Sequence, residues 1–333
     1  MVKALVVQLG LARARPVLLA GMVAPFLVWL ELVRGRSPRT IEDYGHDLRA
    51  FLTFCARAGL HTPRLVTFRE IEVYVAWLQR ERGVGPVTVN RHLNALRSFW
   101  TYLVREGLAM SNPGKSVFSL KTPARVPRYL SVEDQERVLA ALSRNLSPLG
   151  LRAFAVVATG LFTGVRSAEL RAIRVADVDL GAGVLRVIGK GNRERELPVV
   201  PRLTAILLRY LRGGRPRLLR GLDCPWLFVA ARGGRRGLGQ SPGRPPMGEE
   251  ALTGLLRSRV DSLVGSRVRF HMFRHSFASR LREAGADLQF IQEILGHAHL
   301  STTAIYAHLS TARRRAELAR LLGAGWGVVG SEA

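Results

Sequence analysis

The first 110 or so residues repeat one pattern: apolar side chains at helical spacing, each series opened by a capping residue and closed by glycine or proline. A chain written this way can bury its apolar stripes only by packing helix against helix. Ser37-Pro38-Arg39-Thr40, with Glu42 nearby, reads as a cap followed by proline at the first helical position. The helix it opens carries Ile41, Tyr44, Leu48, Phe51, Leu52 and Cys55 on one side and stops near Gly59. Another follows Thr67, with Ile71, Tyr74, Val75 and Leu78 inward, and ends around Gly83 to Pro86. A further helix, from about Thr88 to Arg105, turns Leu93, Leu96, Phe99, Trp100 and Leu103 inward and is closed by Asn112-Pro113. Upstream, Pro16 to Leu30 is apolar and follows Lys3, Arg13 and Arg15, the outline of a signal peptide or short membrane span. At about 15 residues, with Pro25 inside and Glu31 closing it, the run falls short of the roughly 20 that a bilayer requires. Phe26, Leu27, Leu30 and Val33, with Glu31 and Arg34 beside them, read as a core-facing helix.

Periodicity disappears between Gly114 and Pro127, where Lys115, Lys121, Pro123, Arg125, Pro127 and then Arg128 collect in a basic, proline-stiffened linker. Ser131-Val132-Glu133-Asp134 then reads as a capping box opening helices over 132–144 and 150–162. Val184 to Ile188 and Glu194 to Val199 are strand-like and joined by Gly189-Lys190-Gly191-Asn192-Arg193, a hairpin. The remainder reads as helical, apart from a short strand at Trp226 to Val229 and a Gly/Arg/Pro loop from Arg232 to Gly248. The expected fold is mainly α with a small β-hairpin sheet. Its expected divisions are an apolar extension of unassigned role (1–20), a helical domain (21–112), a basic linker (113–129), a second domain (130–322) and a tail (323–333).

Lys plus Arg number 50 against 25 Asp plus Glu, a net charge of +25 spread along the whole chain. An arginine-rich coding bias alone would not explain the scarcity of acids, and the field favours a polyanionic partner. Cys55 and Cys224 form no CxxC pair, which argues against a disulfide framework or cysteine zinc site and for a reducing cytoplasm.

Five of the eight histidines fall between His271 and His308: His271, His275, His297, His299 and His308. No acidic residue stands at ligand spacing among them and no H-E-x-x-H occurs, so no metal site is expected. His271 and Arg274 are three apart and share a helix side, pairing a group that moves protons near neutral pH with one that clamps two phosphate oxygens. That pair is weak evidence alone. It gains weight beside Thr163-Gly164-Val165-Arg166-Ser167-Ala168-Glu169-Leu170, Lys190 in the hairpin, and LGHAHLSTTAIYAHL, where Tyr306 follows His297 by nine positions.

Together, and in this order, these segments resemble the tyrosine recombinase (phage integrase) family, most closely its bacterial Xer-like members, over about residues 25 to 320. The resemblance implies a core-binding domain over 21–112, an α+β catalytic domain over 130–322, and an active set of Arg166, Lys190, His271, Arg274, His297 and Tyr306, with Glu169 orienting an arginine or histidine behind it. Attack by the Tyr306 oxygen on a phosphodiester would build charge for Arg166 and Arg274 to neutralise. On this resemblance His271 would accept the phenol proton, which otherwise stays on to near pH 10, and His297 would position the phosphate. The implied phosphotyrosine linkage would conserve the bond energy, so neither ATP nor metal is expected. Lys190 stands out by composition: four of the 50 basic residues are lysine (Lys3, Lys115, Lys121, Lys190), and it is the only one in the second domain. An ammonium can release a proton to a departing 5′ oxygen; a guanidinium essentially cannot.

The implied partner is a double-stranded recombination site held by both domains, with homo- or hetero-tetramers on paired sites. Arg91 and Arg97 are candidate phosphate contacts, Asn90, His92 and Asn94 candidate base contacts, and Arg232, Arg235, Arg236 and Arg244 a loop that could track a backbone. The tail offers Trp326, Val328 and Val329 for docking on a neighbouring subunit. A type IB-like topoisomerase, or a non-catalytic DNA-binding protein on the same scaffold, remains open at this point.

Overall fold

The computed structural model describes residues 18–122, 128–189, 194–230, 245–296, 316–318 and 320–321. The chain divides into two compact units, Met1–Arg125 and Val126–Ala333.

The first unit is helical: α1 (Leu19–Leu32), α2 (Pro38–Arg57), α3 (Phe68–Arg80) and α4 (Pro86–Arg105). Two starts follow from side-chain capping. Ser37 Oγ accepts the Thr40 N–H, and Thr67 exchanges bonds with the helix it opens, its Oγ1 accepting from Arg69 and its N–H donating to Glu70 at 2.7 Å. The core is aromatic. Phe26 packs against Trp29, Tyr44, Phe99 and Tyr102, and Phe51 meets Tyr74 and Trp100 edge to face. The apolar run near the N-terminus is therefore a core helix, although Val33, expected inward, lies past its end and is exposed. Among the described residues no helix is long and apolar enough to cross a membrane.

The second unit is built around α6 (Pro148–Thr163), buried without interruption from Gly150 to Thr163. Around it in sequence stand α5 (Val132–Ser143), α7 (Ser167–Ala172), α8 (Pro201–Arg209), a π-helical turn (Tyr210–Gly214), α9 (Arg215–Leu219), α10 (Glu249–Arg259), α11 (Asp261–Val264), α12 (Phe270–Glu283) and α13 (Leu288–Leu295). The cap at Ser131 is one-sided: Ser131 accepts from Asp134 N–H, while the Asp134 carboxylate turns to Arg137 instead of back to the cap. The hairpin pairs β2 (Val184–Ile188) with β3 (Glu194–Pro198), and a two-residue strand, β1 (Val178–Asp179), adds a third antiparallel member in the order β1-β2-β3. The short strand expected at Trp226 to Val229 is reduced to isolated bridges, Arg174 with Trp226 and Val229 with Pro246. The fold is thus mainly helical with a small sheet, as expected.

Candidate active site

Helix α6 ends where Gly164 takes a left-handed conformation, φ +63°. A Cβ there would lie 2.6 Å from Phe277 of α12 and 2.8 Å from Leu295 of α13, so only glycine lets these three elements meet. Arg166 follows as the residue before α7. Its backbone N–H donates to Glu169 Oε2 at 2.9 Å and its Nη1 to Glu169 Oε1 at 2.8 Å. Glu169, in the first turn of α7, is where a carboxylate is favoured by the exposed N–H groups of a helix start.

Arg274 enters the same region from α12, fully buried. Its Nη1 donates to the Gly164 carbonyl at 2.8 Å and its Nη2 to the Leu295 carbonyl at 2.6 Å. Arg166 Nη2 reaches the next carbonyl, Gly296, at 3.4 Å. Two guanidiniums, one from the turn before α7 and one from α12, therefore converge on the C-terminal end of α13, whose last carbonyls have no partner within the helix and carry its negative pole. Burial, followed by the nearby Arg166 charge, lowers Arg274 to about 10, so it remains a cation at neutral pH. His271 sits one turn before Arg274 on α12 and is exposed, its ring meeting His275 edge to face at 4.5 Å. Desolvation of the part of the ring that the fold does cover, then the charges of His275, Arg274 and Arg166, push His271 below the ordinary imidazole range. The site thus favours a neutral imidazole beside two cations, the state a proton acceptor needs.

The structure brings Arg166, Glu169, His271 and Arg274 together. Lys190 belongs to the β2–β3 connection, His297 follows Gly296 directly, and Tyr306 lies further on; all three fall outside the described residues, as do Arg232, Arg235, Arg236, Arg244 and the tail.

One member was not anticipated. Arg195 of β3 binds Glu169 through both ends of its fork, Nη1 to Oε1 at 3.0 Å and Nη2 to Oε2 at 2.8 Å. A signal for it did exist in the sequence. Strand alternation puts Arg195 on the same face as Leu197, opposite the buried Val187, and a cation on the inward face of a strand must find a buried anion. Although burial raises the Glu169 pKa, hydrogen bonds from Arg195 and Arg166 outweigh it and bring it down to about 2.

The candidate DNA contacts of α4 are placed differently from expectation. Asn90 brackets Leu120, donating to its carbonyl at 2.9 Å and accepting its N–H at 2.8 Å. Arg97 donates to the carbonyls of Gly114 and Val117, to Ser119 and to Asn94. These groups fasten residues 113–122 back onto α4, so this part of the expected linker packs with the first unit. His92 is buried, bonded to the Tyr74 hydroxyl at 2.9 Å and facing Asp47 at 3.3 Å. Arg91 is half exposed and paired with Asp47 and Asp43.

Comparison with known proteins places the chain in a family. The profile described as "Phage integrase family" matches residues 128–313, and "Phage integrase, N-terminal SAM-like domain" matches residues 23–107. The chain belongs to the phage integrase family of tyrosine recombinases. This integrase-family chain is 35% identical over 298 residues to the tyrosine recombinase XerC of Halalkalibacterium halodurans, covering 88% of this chain and 94% of the relative. Among solved structures, XerH bound to difH substrate in a pre-cleavage complex shares the fold with TM-score 0.62 at 22% identity, covering 87% of this chain and 82% of that one. The Tn1549 transposon integrase in complex with transposon right end DNA does so with TM-score 0.63 at 18% identity, covering 90% and 99%.

Proposed function

We propose that this chain cuts and rejoins DNA at specific sites through a 3′-phosphotyrosine at Tyr306, without metal or ATP. The observation that carries the reading is the convergence of Arg166 and Arg274 on neighbouring carbonyls at the end of α13, immediately before His297. A scissile phosphate held by both guanidiniums has its non-bridging oxygens stabilised as negative charge develops in the transition state. The Tyr306 oxygen attacks phosphorus as its proton passes to neutral His271, and the bond from phosphorus to the 5′ oxygen breaks. Lys190 delivers a proton to that leaving oxygen, and His297 donates a hydrogen bond to the phosphate. Glu169 orients Arg166 from behind. Rejoining runs the same steps in reverse, with a 5′ hydroxyl attacking the phosphotyrosine, so bond energy is conserved and no nucleotide cofactor enters.

On this reading residues 21–112 are the core-binding domain, 113–129 the linker and 130–322 the catalytic domain, and the working form is a homo- or hetero-tetramer on paired duplex sites in the cytoplasm. The net charge of +25 supports a DNA partner, as do the DNA-bound neighbours. Arg91, which keeps partial exposure beside its acidic partners, is retained as a phosphate contact.

The test is incubation with a nicked suicide duplex in EDTA without ATP, followed by denaturing electrophoresis. A retarded protein-DNA band is expected, and its loss in Tyr306→Phe. Relaxation of supercoiled plasmid without site preference would favour a topoisomerase-like activity, and binding without any cleavage a non-catalytic role.

A further inference from the structure

Glu169 accepts four hydrogen bonds: from the Arg166 backbone N–H and Nη1, and from both terminal nitrogens of Arg195. An ionised carboxylate offers about four acceptor positions, so this one is saturated. The saturation has a direction. Arg166 and Arg195 compete for the same two oxygens, and Arg195 has the forked, two-bond geometry while Arg166 is left with one side-chain bond. The Arg166 side chain is 37% exposed, whereas those of Arg195 and Glu169 are 15% and 4% exposed. The buried member takes the fork and the exposed member keeps donors free.

We infer that Arg195 is a positioning residue: by occupying the fork of Glu169 it prevents Arg166 from being captured bidentately and so leaves the Arg166 guanidinium available to a phosphate. The inference rests on the proposed phosphate-binding role of Arg166. The same side chain also touches the end of α13, since a Cβ on Gly296 would come within 3.0 Å of Arg195 Cδ. Arg195 is the second residue of β3, shortly after the connection that holds Lys190, so one side chain is bonded through Glu169 to the Arg166 turn and lies beside the residue before His297.

Without Arg195, both Glu169 oxygens lose a partner and Arg166 can swing in to bind them through its own fork, as paired guanidinium and carboxylate prefer. The carboxylate would then neutralise the cation meant for DNA. Single-turnover cleavage of the nicked duplex by the full chain reads this. Arg195→Gln should slow cleavage on the order of 10- to 100-fold, the range seen when a group orienting a direct ligand is removed. Arg195→Lys, which keeps the charge but cannot fork, should fall in between and guards against a mere folding failure.

Two readouts separate positioning from a structural role. Glu169→Gln alone weakens the hold on Arg166 and should itself slow cleavage; combined with Arg195→Gln it also removes the anion that captures Arg166, so the double variant should lose less than the product of the two single losses. On a duplex whose scissile phosphate is replaced by an uncharged methylphosphonate, the need for Arg166 falls and the Arg195→Gln deficit should shrink to a few-fold. Multiplicative losses in the double variant, or an undiminished deficit on the uncharged substrate, would overturn the inference. Absence of any adduct with the unsubstituted protein would instead overturn the recombinase mechanism beneath it.

Discussion

Replacing Gly164 with alanine probes the junction on which both arginines depend. The left-handed backbone at φ +63° costs a non-glycine residue about 1–2 kcal/mol, partly offset by about 0.4–1 kcal/mol because alanine restricts the unfolded chain. The new Cβ would also sit 2.6 Å from Phe277 Cδ1 and 2.8 Å from Leu295 Cδ2, both in a packed core, adding about 1–3 kcal/mol of overpacking. Gly265 supplies an internal control. It too is left-handed, at φ +73°, but a Cβ there meets nothing within 4 Å, so Gly265→Ala carries only the backbone cost. Both residues lie in the second unit, so one thermal transition reads both. Gly164→Ala should be less stable than Gly265→Ala by about 2 kcal/mol, or about 4–8 °C in melting temperature for a unit of this size. Cleavage should follow: displacing the Gly164 carbonyl removes the partner of Arg274 Nη1, so Gly164→Ala should lose activity below its melting point while Gly265→Ala keeps it. Equal melting temperatures for the two variants would refute the packing argument.

Other expectations follow from the same contacts. His271 acts in its neutral form and is held below its ordinary pKa, so cleavage should rise with pH through an apparent value under about 6.5; His275→Asn removes one depressing charge and should move that limb to higher pH. A limb that stays put or moves down would remove His271 from the proton transfer. Asn90→Ala deletes two bonds to Leu120 at a cost of about 1–3 kcal/mol, and hydrogen exchange in the full chain should show lost protection at residues 113–122 with site preference retained. Unchanged exchange with altered site preference would return Asn90 to base reading. Lys190→Arg should cleave an ordinary duplex slowly and a 5′-thiolate-leaving duplex near the normal rate, because a sulfur leaving group needs no acid; an unchanged rate on the ordinary duplex would dismiss Lys190 as the proton donor.

Helix starts were legible where a side chain caps them: Ser37 and Thr67 announced α2 and α3 because local bonds decide those positions. Helix faces were legible because period and burial coincide, as at Leu93, Leu96, Phe99, Trp100 and Leu103, all buried. Strand β1 was not, since two residues carry no period. Arg166, Arg274 and His271 could be named from motif and chemistry, and Glu169 placed behind them, but which acid partners which base depends on contacts between distant segments. Arg195 and Glu169 are 26 positions apart, and only the inward phase of β3 hinted that a buried cation needed an anion. The α4 residues show the converse limit of reading by residue type. Asn90 and Arg97 have the donors a DNA contact needs, yet residue type cannot reveal that the donors are already engaged by the chain's own backbone.

The central claim is a covalent bond at one tyrosine. Trapping the full chain on a nicked suicide duplex, digesting the DNA and then the protein, and sequencing the nucleotide-bearing peptide by mass spectrometry locates it. The account predicts a single modified peptide carrying a 3′-linked nucleotide phosphate on Tyr306. Modification of another residue, such as Tyr129 or a serine, or an adduct that survives in Tyr306→Phe, would contradict it.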